Sequence, residues 1–368
     1  MAEASADAAL LRPVLLVTKG LDIGGLERVV VDLAVTMARR GVPVEVAVIN
    51  DERDQLISVL LAAGIIVHRL GGTDRIGLRA ARRLLRLTVS TEFRVVHVHG
   101  PLPSIVVRLA RGRRHVVTTS HTPFGTLRAP TRLLWRLTAR RDAKVVAVSA
   151  VVAASLPNRA ATRAVVLPHG IDPAAIGAAT EASVVRAGPA QLVTAVAVAS
   201  HRDVKNYPNL LRAVQVARSL GAPLRLVAVG GGPDLERHRA LAQQLGLADS
   251  VDFVAPSGDA LHEMAAGDML VVASDYEGQP LVVLEALALG KPVVATSVGR
   301  VPELVNPAVG RVVPPGDAQA LGRALAEVAG DPVLRRKMGE VARHQGSAWT
   351  LDDVVDAHLA LYSQVSAT

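Results

Sequence analysis

Two glutamates eight residues apart, Glu277 and Glu285, stand in the stretch SDYEGQPLVVLEALALGKPVVATSVGRVPE, residues 274–303. The apolar run Met269–Ala273 reads as a buried parallel strand, and Ser274–Gln279 as the polar loop at its carboxyl end. Pro280 suits the first turn of a helix, because its missing N–H would be unpaired there anyway. Gly290 stops that helix after about Leu289. Glu277 is thereby held in the loop and Glu285 just over a turn into the helix. Between them lie the free N–H groups of a helix N-terminus, a natural seat for phosphate.

Arg202 and Lys205, in His201-Arg202-Asp203-Val204-Lys205-Asn206, follow another strand. They are either idle charges on a surface turn or the cations that a diphosphate leaving group requires as its charge builds. Asp275 and Glu277 suggest a metal, but two acids alone are a poor ligand set, and no metal is expected. His121 follows the strand VVTTS, in a loop at a strand's carboxyl end where catalytic and binding side chains concentrate. His97 and His99 alternate on one strand with no carboxylate near in sequence, so they read as satisfied polar positions rather than metal ligands. Gly24-Gly25 is either a loop needing positive φ or a backbone surface brought close to a phosphate or acceptor. Gly230-Gly231-Gly232 fits a tight turn better than a phosphate cradle. No Walker sequence exists, since Gly290-Lys291 is followed by Pro292.

These residues need rigid elements behind them. Strands are expected at Leu11–Thr18, Val44–Ile49, Ile65–His68, Val95–His99, Val116–Ser120, Val145–Val148 and Val165–Leu167, separated by helices of 3.6-residue periodicity. Residues 169–190 lose that periodicity and read as an interdomain link. Strands then resume at Leu192–Val198, Leu224–Val229, Val251–Val254, Met269–Ala273, Pro292–Ala295 and Arg311–Val313. Solid Val/Ile/Leu/Ala strands alternating with helices mean parallel sheets covered on both faces. Two successive open α/β units put the ligand site at the sheet-end crevice.

Composition narrows the classes. The 368 residues suffice for two domains, half of them are hydrophobic, and there is no cysteine for disulfides or thiolate metal sites. The apolar runs fall short of the roughly 20 residues of a spanning helix, and the first residues lack the basic and apolar regions of a signal peptide. A cytoplasmic protein is expected. The net charge is +8, yet Arg79–Lys144 alone carries fifteen basic residues against two acids. Such a patch suggests an anionic partner on one face, with a solvated arginine-rich face as the alternative. Arg128, Arg132, Arg136 and Arg140 fall four apart with Trp135 among them, a spacing that a helix lying on anionic lipid at the membrane's inner face would also show. Nucleic acid is not among the expected partners.

Taken together, GGLERVVVDLA, VVHVHG, SHTPFG, LPHGID, DVKNYPNLLRA, GGGP, EGQPLVVLEALALGKPVVAT and VGRVPELV resemble the retaining nucleotide-sugar glycosyltransferases of family four. They run in the family's order over nearly the whole chain. The resemblance implies the GT-B fold, two Rossmann-like doubly wound domains facing across a central cleft. It implies an acceptor-binding domain at 1–170, a linker at 171–190, a donor-binding domain at 191–346 and a last helix at 347–368 packing back on the first domain. It also implies roles. Glu277 would hold donor-sugar hydroxyls and Glu285 the ribose hydroxyls. Lys205, with Arg202, would neutralise the diphosphate, assisted by the backbone from Gly278 through Gln279, Pro280 and Leu281 to Val282. Gly24 and Gly25 would approach the reaction centre, His121 would contact the transferring sugar, and Glu303 would border the donor. Such enzymes transfer with retention and without a metal, so neither cofactor nor metal is expected. Many relatives carry an arginine where this chain has Ala199-Ser200, which leaves Arg202 as the nearest substitute. The reading is a glycosyltransferase with a sugar or lipid-linked acceptor in glycolipid or polysaccharide synthesis. A nucleotide-sugar epimerase and a non-catalytic nucleotide-sugar-binding protein are the alternatives.

Overall fold

The computed structural model describes residues 12–73, 76–89, 93–110, 115–182, 192–255 and 260–367. Contacts divide the chain into two units, residues 1–170 with 351–368 and residues 171–350.

In the first unit, seven short apolar runs form β1 (Val14–Thr18), β2 (Val44–Asn50), β3 (Ile66–Gly72), β4 (Val95–His99), β5 (Val116–Ser120), β6 (Lys144–Ala147) and β7 (Ala164–Val166). All pair in parallel, in the order β3-β2-β1-β4-β5-β6-β7. β1 and β4 are buried at every position, because helices cover both faces. The order reverses between β1 and β4, so the connections leaving these strands diverge to opposite faces and open a crevice at their carboxyl ends.

The second unit repeats the plan with β8 (Val193–Val198), β9 (Leu224–Val229), β10 (Val251–Val254), β11 (Met269–Val272), β12 (Val293–Thr296) and β13 (Gly310–Val313). Its order is β10-β9-β8-β11-β12-β13, with the reversal between β8 and β11. Those two strands register Met269 on Ala195 and Leu270 on Val196. The loops that leave them are therefore neighbours.

Three expectations need correction. Residues 171–190 are not wholly irregular. Pro173–Ala182 is a helix, and Ala179 with Ile171 lies in the apolar core of the second unit. The run PAAIGAATEA hides it, since strong helix formers without polar contrast show no periodicity. Residues 183–191 lie outside the described residues. Trp135 is not interfacial: it is 1% exposed, with the Arg108 guanidinium carbon 4.4 Å from its ring centroid. Arg140 does not share the helix of the other arginines, which spans Ala129–Thr138 and gives way to a 3-10 turn at Ala139–Arg141.

Arg108 anchors this corner. Its Nε donates to Asp142 Oδ1 at 2.7 Å, and its Nη2 to Asp142 Oδ2 and to Thr118 Oγ1 at 3.3 Å. Neither side chain is exposed. Burial pushes the Asp142 carboxyl up, against the opposing pull of Arg108.

The last helix, Leu351–Ser366, belongs to the first unit. Val355, Leu361, Tyr362 and Val365 join the core that the helix Gly25–Arg39 covers. Arg40 Nη2 reaches Asp356 Oδ1 at 2.5 Å along the same seam.

Candidate active site

In the second unit, three loops at strand carboxyl ends converge on Glu277. The loop after β8 ends in a 3-10 turn, Asp203–Lys205, and Asn206 in the left-handed region (φ 45°). Asn206 Oδ1 accepts from Asn209 N at 3.1 Å and caps the helix Tyr207–Ser219, where Pro208 fits the first turn. This fixes where Lys205 projects. Lys205 Nζ donates to Glu277 Oε1 at 2.5 Å, across 72 residues of chain. Ser274 Oγ donates to the same oxygen at 2.8 Å. The loops are stitched further by Asp275 N to Val204 O at 2.9 Å and Asn206 Nδ2 to Asp275 Oδ1 at 2.7 Å.

The loop after β12 closes on the other side. Gly299 adopts φ +52°, and a Cβ there would stand 2.4 Å from Glu277 O, so glycine is needed on both counts. Arg300 N donates to Gly278 O at 3.1 Å, and Arg300 Nε to Glu303 Oε2 at 3.0 Å. The helix Leu281–Ala288 follows Pro280 as its N-cap, and no side chain caps it. Glu285, partly buried, lies in its second turn. Leu281 and Val282 open the helix beside the Lys205–Glu277 pair, and cation, carboxylate and helix N-terminus thus meet at the switch point of the sheet. That combination suits an anionic group carrying hydroxyls nearby.

The triple glycine allows two loops to approach closely. A Cβ on Gly230 would lie 2.0 Å from Ala199 O, and His201 N donates to Gly231 O at 2.8 Å. The glycines let the loop after β9 press against the loop that carries Lys205. His201 braces it from inside, stacked 3.9 Å from the Tyr207 ring, and burial lowers its pKa to about 4.

In the first unit, Gly24 is the N-cap of the helix Gly25–Arg39, with extended backbone (φ −160°) and no side-chain cap. Neither Gly24 nor Gly25 has positive φ, so that explanation of the pair falls away. A Cβ on Gly25 would meet nothing within 4 Å, while one on Gly24 would meet only the flexible end of Glu27. His121 follows β5 and joins a buried histidine group. His99 Nδ1 and His121 Nε2 share a hydrogen bond of 3.1 Å, and His169 stacks on His121 with ring centroids 5.4 Å apart. His97 is satisfied at both nitrogens, by Tyr362 Oη and Thr119 Oγ1, each at 2.6 Å. Burial first, then neighbouring imidazoles, hold His97, His99 and His121 well below the ordinary imidazole value. These rings are neutral at pH 7.

Comparison with known proteins decides the family. Residues 186–345 match the family model for glycosyl transferases group 1, and residues 23–175 match glycosyltransferase family 4. The chain is 32% identical to a D-inositol 3-phosphate glycosyltransferase of Saccharomonospora viridis, over 94% of this chain and 90% of that one. It belongs to the group 1, family 4 glycosyltransferases. A crystal structure of Anabaena Alr3699/HepE in complex with UDP and glucose superposes with a TM-score of 0.83 at 19% identity, covering 96% of this chain and 99% of that one. A sucrose-phosphate synthase from Thermosynechococcus elongatus gives 0.82 at 22% identity, covering 97% and 99%. The fold is GT-B.

Within this transferase the expected residues fall in two places. Lys205, Glu277, Gly278 and Glu303 are joined, directly or through Arg300, in the second unit, with Gln279, Pro280, Leu281, Val282 and Glu285 continuing from them. Arg202 stands exposed at the start of the Lys205 turn, and no ion pair to Glu277 is seen among the described residues. Gly24, Gly25 and His121 belong to the first unit. Sequence reasoning missed Ser274, Asn206 and Arg300. Asn before a Tyr-Pro helix start was a legible capping signal; the other two carry no signal in local sequence.

Proposed function

We propose that the protein transfers a hexosyl group from a nucleoside-diphosphate sugar to an acceptor, with retention of configuration and without a metal. The observation that carries this reading is the Lys205–Glu277 pair at 2.5 Å beside an uncapped helix N-terminus. An ammonium has three N–H donors. One goes to Glu277, which holds the cation in place, and the others point the charge at the departing diphosphate. Helix N–H groups at Leu281 and Val282 share that load. Glu277 and Glu285 hold hydroxyls of the sugar and the ribose, while His121, Gly24 and Gly25 serve the sugar from the first unit. In the reaction the bond from C1 to the phosphate oxygen breaks, the diphosphate leaves with the electron pair, and an acceptor hydroxyl oxygen bonds to C1 and gives up its proton to the leaving phosphate. Metal independence agrees with the acids' partners. Asp275 is tied to Asn206 and Glu277 to Lys205 and Ser274, so each carboxylate already has protein partners.

The acceptor we propose is lipid-linked, met at an anionic membrane surface. No helix among the described residues is long and apolar enough to cross a membrane. The helix Ala129–Thr138, however, exposes Leu133, Leu134 and Leu137 by 59%, 49% and 62%, beside exposed Arg128 and Arg136. Apolar side chains flanked by arginines on one exposed helix match the chemistry of an anionic bilayer surface.

A screen of UDP-, GDP- and ADP-sugars for nucleotide release, with and without lipid extract, tests the reaction. The acceptor arms include D-inositol 3-phosphate, the acceptor named for the Saccharomonospora relative. Release that depends on an acceptor supports transfer; no release with any pair removes the reading. Co-sedimentation with phosphatidylglycerol and with phosphatidylcholine vesicles tests the surface. Binding to neither refutes it.

A further inference from the structure

The histidines of β4 divide into one that is fully satisfied and one that is not. His97 spends both ring nitrogens on Tyr362 and Thr119. His99, two residues on and 1% exposed, spends Nδ1 on His121 Nε2 at 3.1 Å, while its Nε2 is buried with no partner. The strand register sets up this contact, because His99 lies opposite Thr119 and His121 follows two residues later.

A neutral imidazole carries a single N–H. The His99–His121 bond therefore has two arrangements. If His121 Nε2–H donates, the proton of His99 must sit on Nε2 as a buried N–H with nothing to receive it. If His99 Nδ1–H donates, His99 Nε2 is only an unused lone pair, and the proton of His121 moves to Nδ1. Orphaned buried N–H groups are rarer in proteins than under-satisfied acceptors, and a desolvated donor carries its full penalty. The second arrangement is favoured.

We propose that His99 is a positioning residue that fixes the tautomer and ring orientation of His121, so that His121 offers an Nδ1–H donor to an oxygen of the reacting sugar. The inference rests on the reading that His121 acts on that sugar. His99 itself touches no substrate. Its contribution is to make His121 a hydrogen-bond donor rather than a base, in a site where burial keeps both rings neutral.

Nitrogen-15 NMR of the whole protein, with His121 assigned through His121→Gln, reads the tautomer directly. Wild type should show Nδ1–H on His121. His99→Phe, which keeps a ring without a hydrogen bond, should return His121 to the Nε2–H form usual in water. His99→Asn places an amide where Nδ1 stood, and His99→Gln places one where Nε2 stood. Nucleotide release from UDP-glucose, GDP-mannose and ADP-glucose should fall about 10- to 100-fold in kcat for His99→Phe and His99→Gln, the scale of a misplaced catalytic group. His99→Asn should recover most of the loss, with UDP, GDP or ADP binding unchanged in all three. If His99→Phe does not fold, the contrast between Asn and Gln carries the test. An Nε2–H tautomer in wild type, or the same tautomer and kcat in every His99 variant, overturns the proposal. If His121→Ala keeps full kcat, the underlying role of His121 falls. If His121→Ala is crippled and His99→Gln is not, only the present inference falls.

Discussion

Two of the protein's cation–carboxylate pairs, Arg108–Asp142 and Lys205–Glu277, have opposite placement. Arg108 and Asp142, in the first unit, have no exposed side-chain surface and are also tied to Thr118 and Trp135. Lys205 and Glu277, in the second, keep 25% and 13% of their side-chain surface in solvent and lie in loops at strand carboxyl ends. A charge that is wholly enclosed can only serve the scaffold. One that is half-enclosed, with N–H groups left over, can be addressed by a ligand. The difference is one of access, and it separates structural from functional charge without reference to residue type.

Mutation should break the two pairs in different currencies. Asp142→Ala leaves the Arg108 guanidinium buried without a counter-charge, a loss on the order of 3–5 kcal/mol. Urea unfolding should show it, with the enzyme that remains folded turning over normally. Lys205→Ala should do the reverse. Its loss in folding stability should be smaller than that of Asp142→Ala, because Lys205 and Glu277 keep part of their surface in solvent. Its kcat should drop about 10²- to 10³-fold, the scale of removing one preorganised donor from a developing charge. Glu277→Gln, keeping size but losing charge, should fall at least about tenfold on the same scale. Equal stability losses for Asp142→Ala and Lys205→Ala would erase the distinction.

Sequence revealed the frame better than the wiring. All thirteen strands of the described residues lie within a few residues of where the sequence runs placed them, and β1, β4, β11 and β12 were plainest, because a strand buried on both faces must be apolar along its whole length. The helix Pro173–Ala182 was hidden because its residues lack polar contrast. Lys205 and Glu277 could each be chosen by position after a strand, but their direct bond could not, since it depends on the β8–β11 adjacency. Trp135 misled: among the arginines it allowed a helix lying on lipid as one of two readings, yet its ring turns inward onto Arg108, and the exposed apolar residues are leucines. Arg111, Arg113 and Arg114, part of the basic surplus, lie outside the described residues.

The same contrast between enclosed and open groups extends to acid. In the first unit, His97, His99, His115, His121 and His358 are held below the ordinary imidazole value, by burial before any other cause. In the second, His201 is lowered to about 4 and His238 is lowered as well, again first by burial. A histidine whose folded pKa is depressed takes up its proton more readily when unfolded. Its stabilising effect is complete above about pH 6.5 and is lost as pH falls from there toward the folded value. Each such group contributes a slope of up to about 1.4 kcal/mol per pH unit in that window. Five depressed histidines against two predict the steeper loss for the first unit between about pH 6.5 and about pH 5, before ordinary carboxylates titrate. The chain's two tryptophans fall one in each unit, Trp135 and Trp349. Urea unfolding followed by fluorescence therefore reads the first unit in Trp349→Phe and the second in Trp135→Phe. Equal slopes, or a steeper one for the second unit, would mean that the buried histidines of the first unit take up protons without giving up their packing.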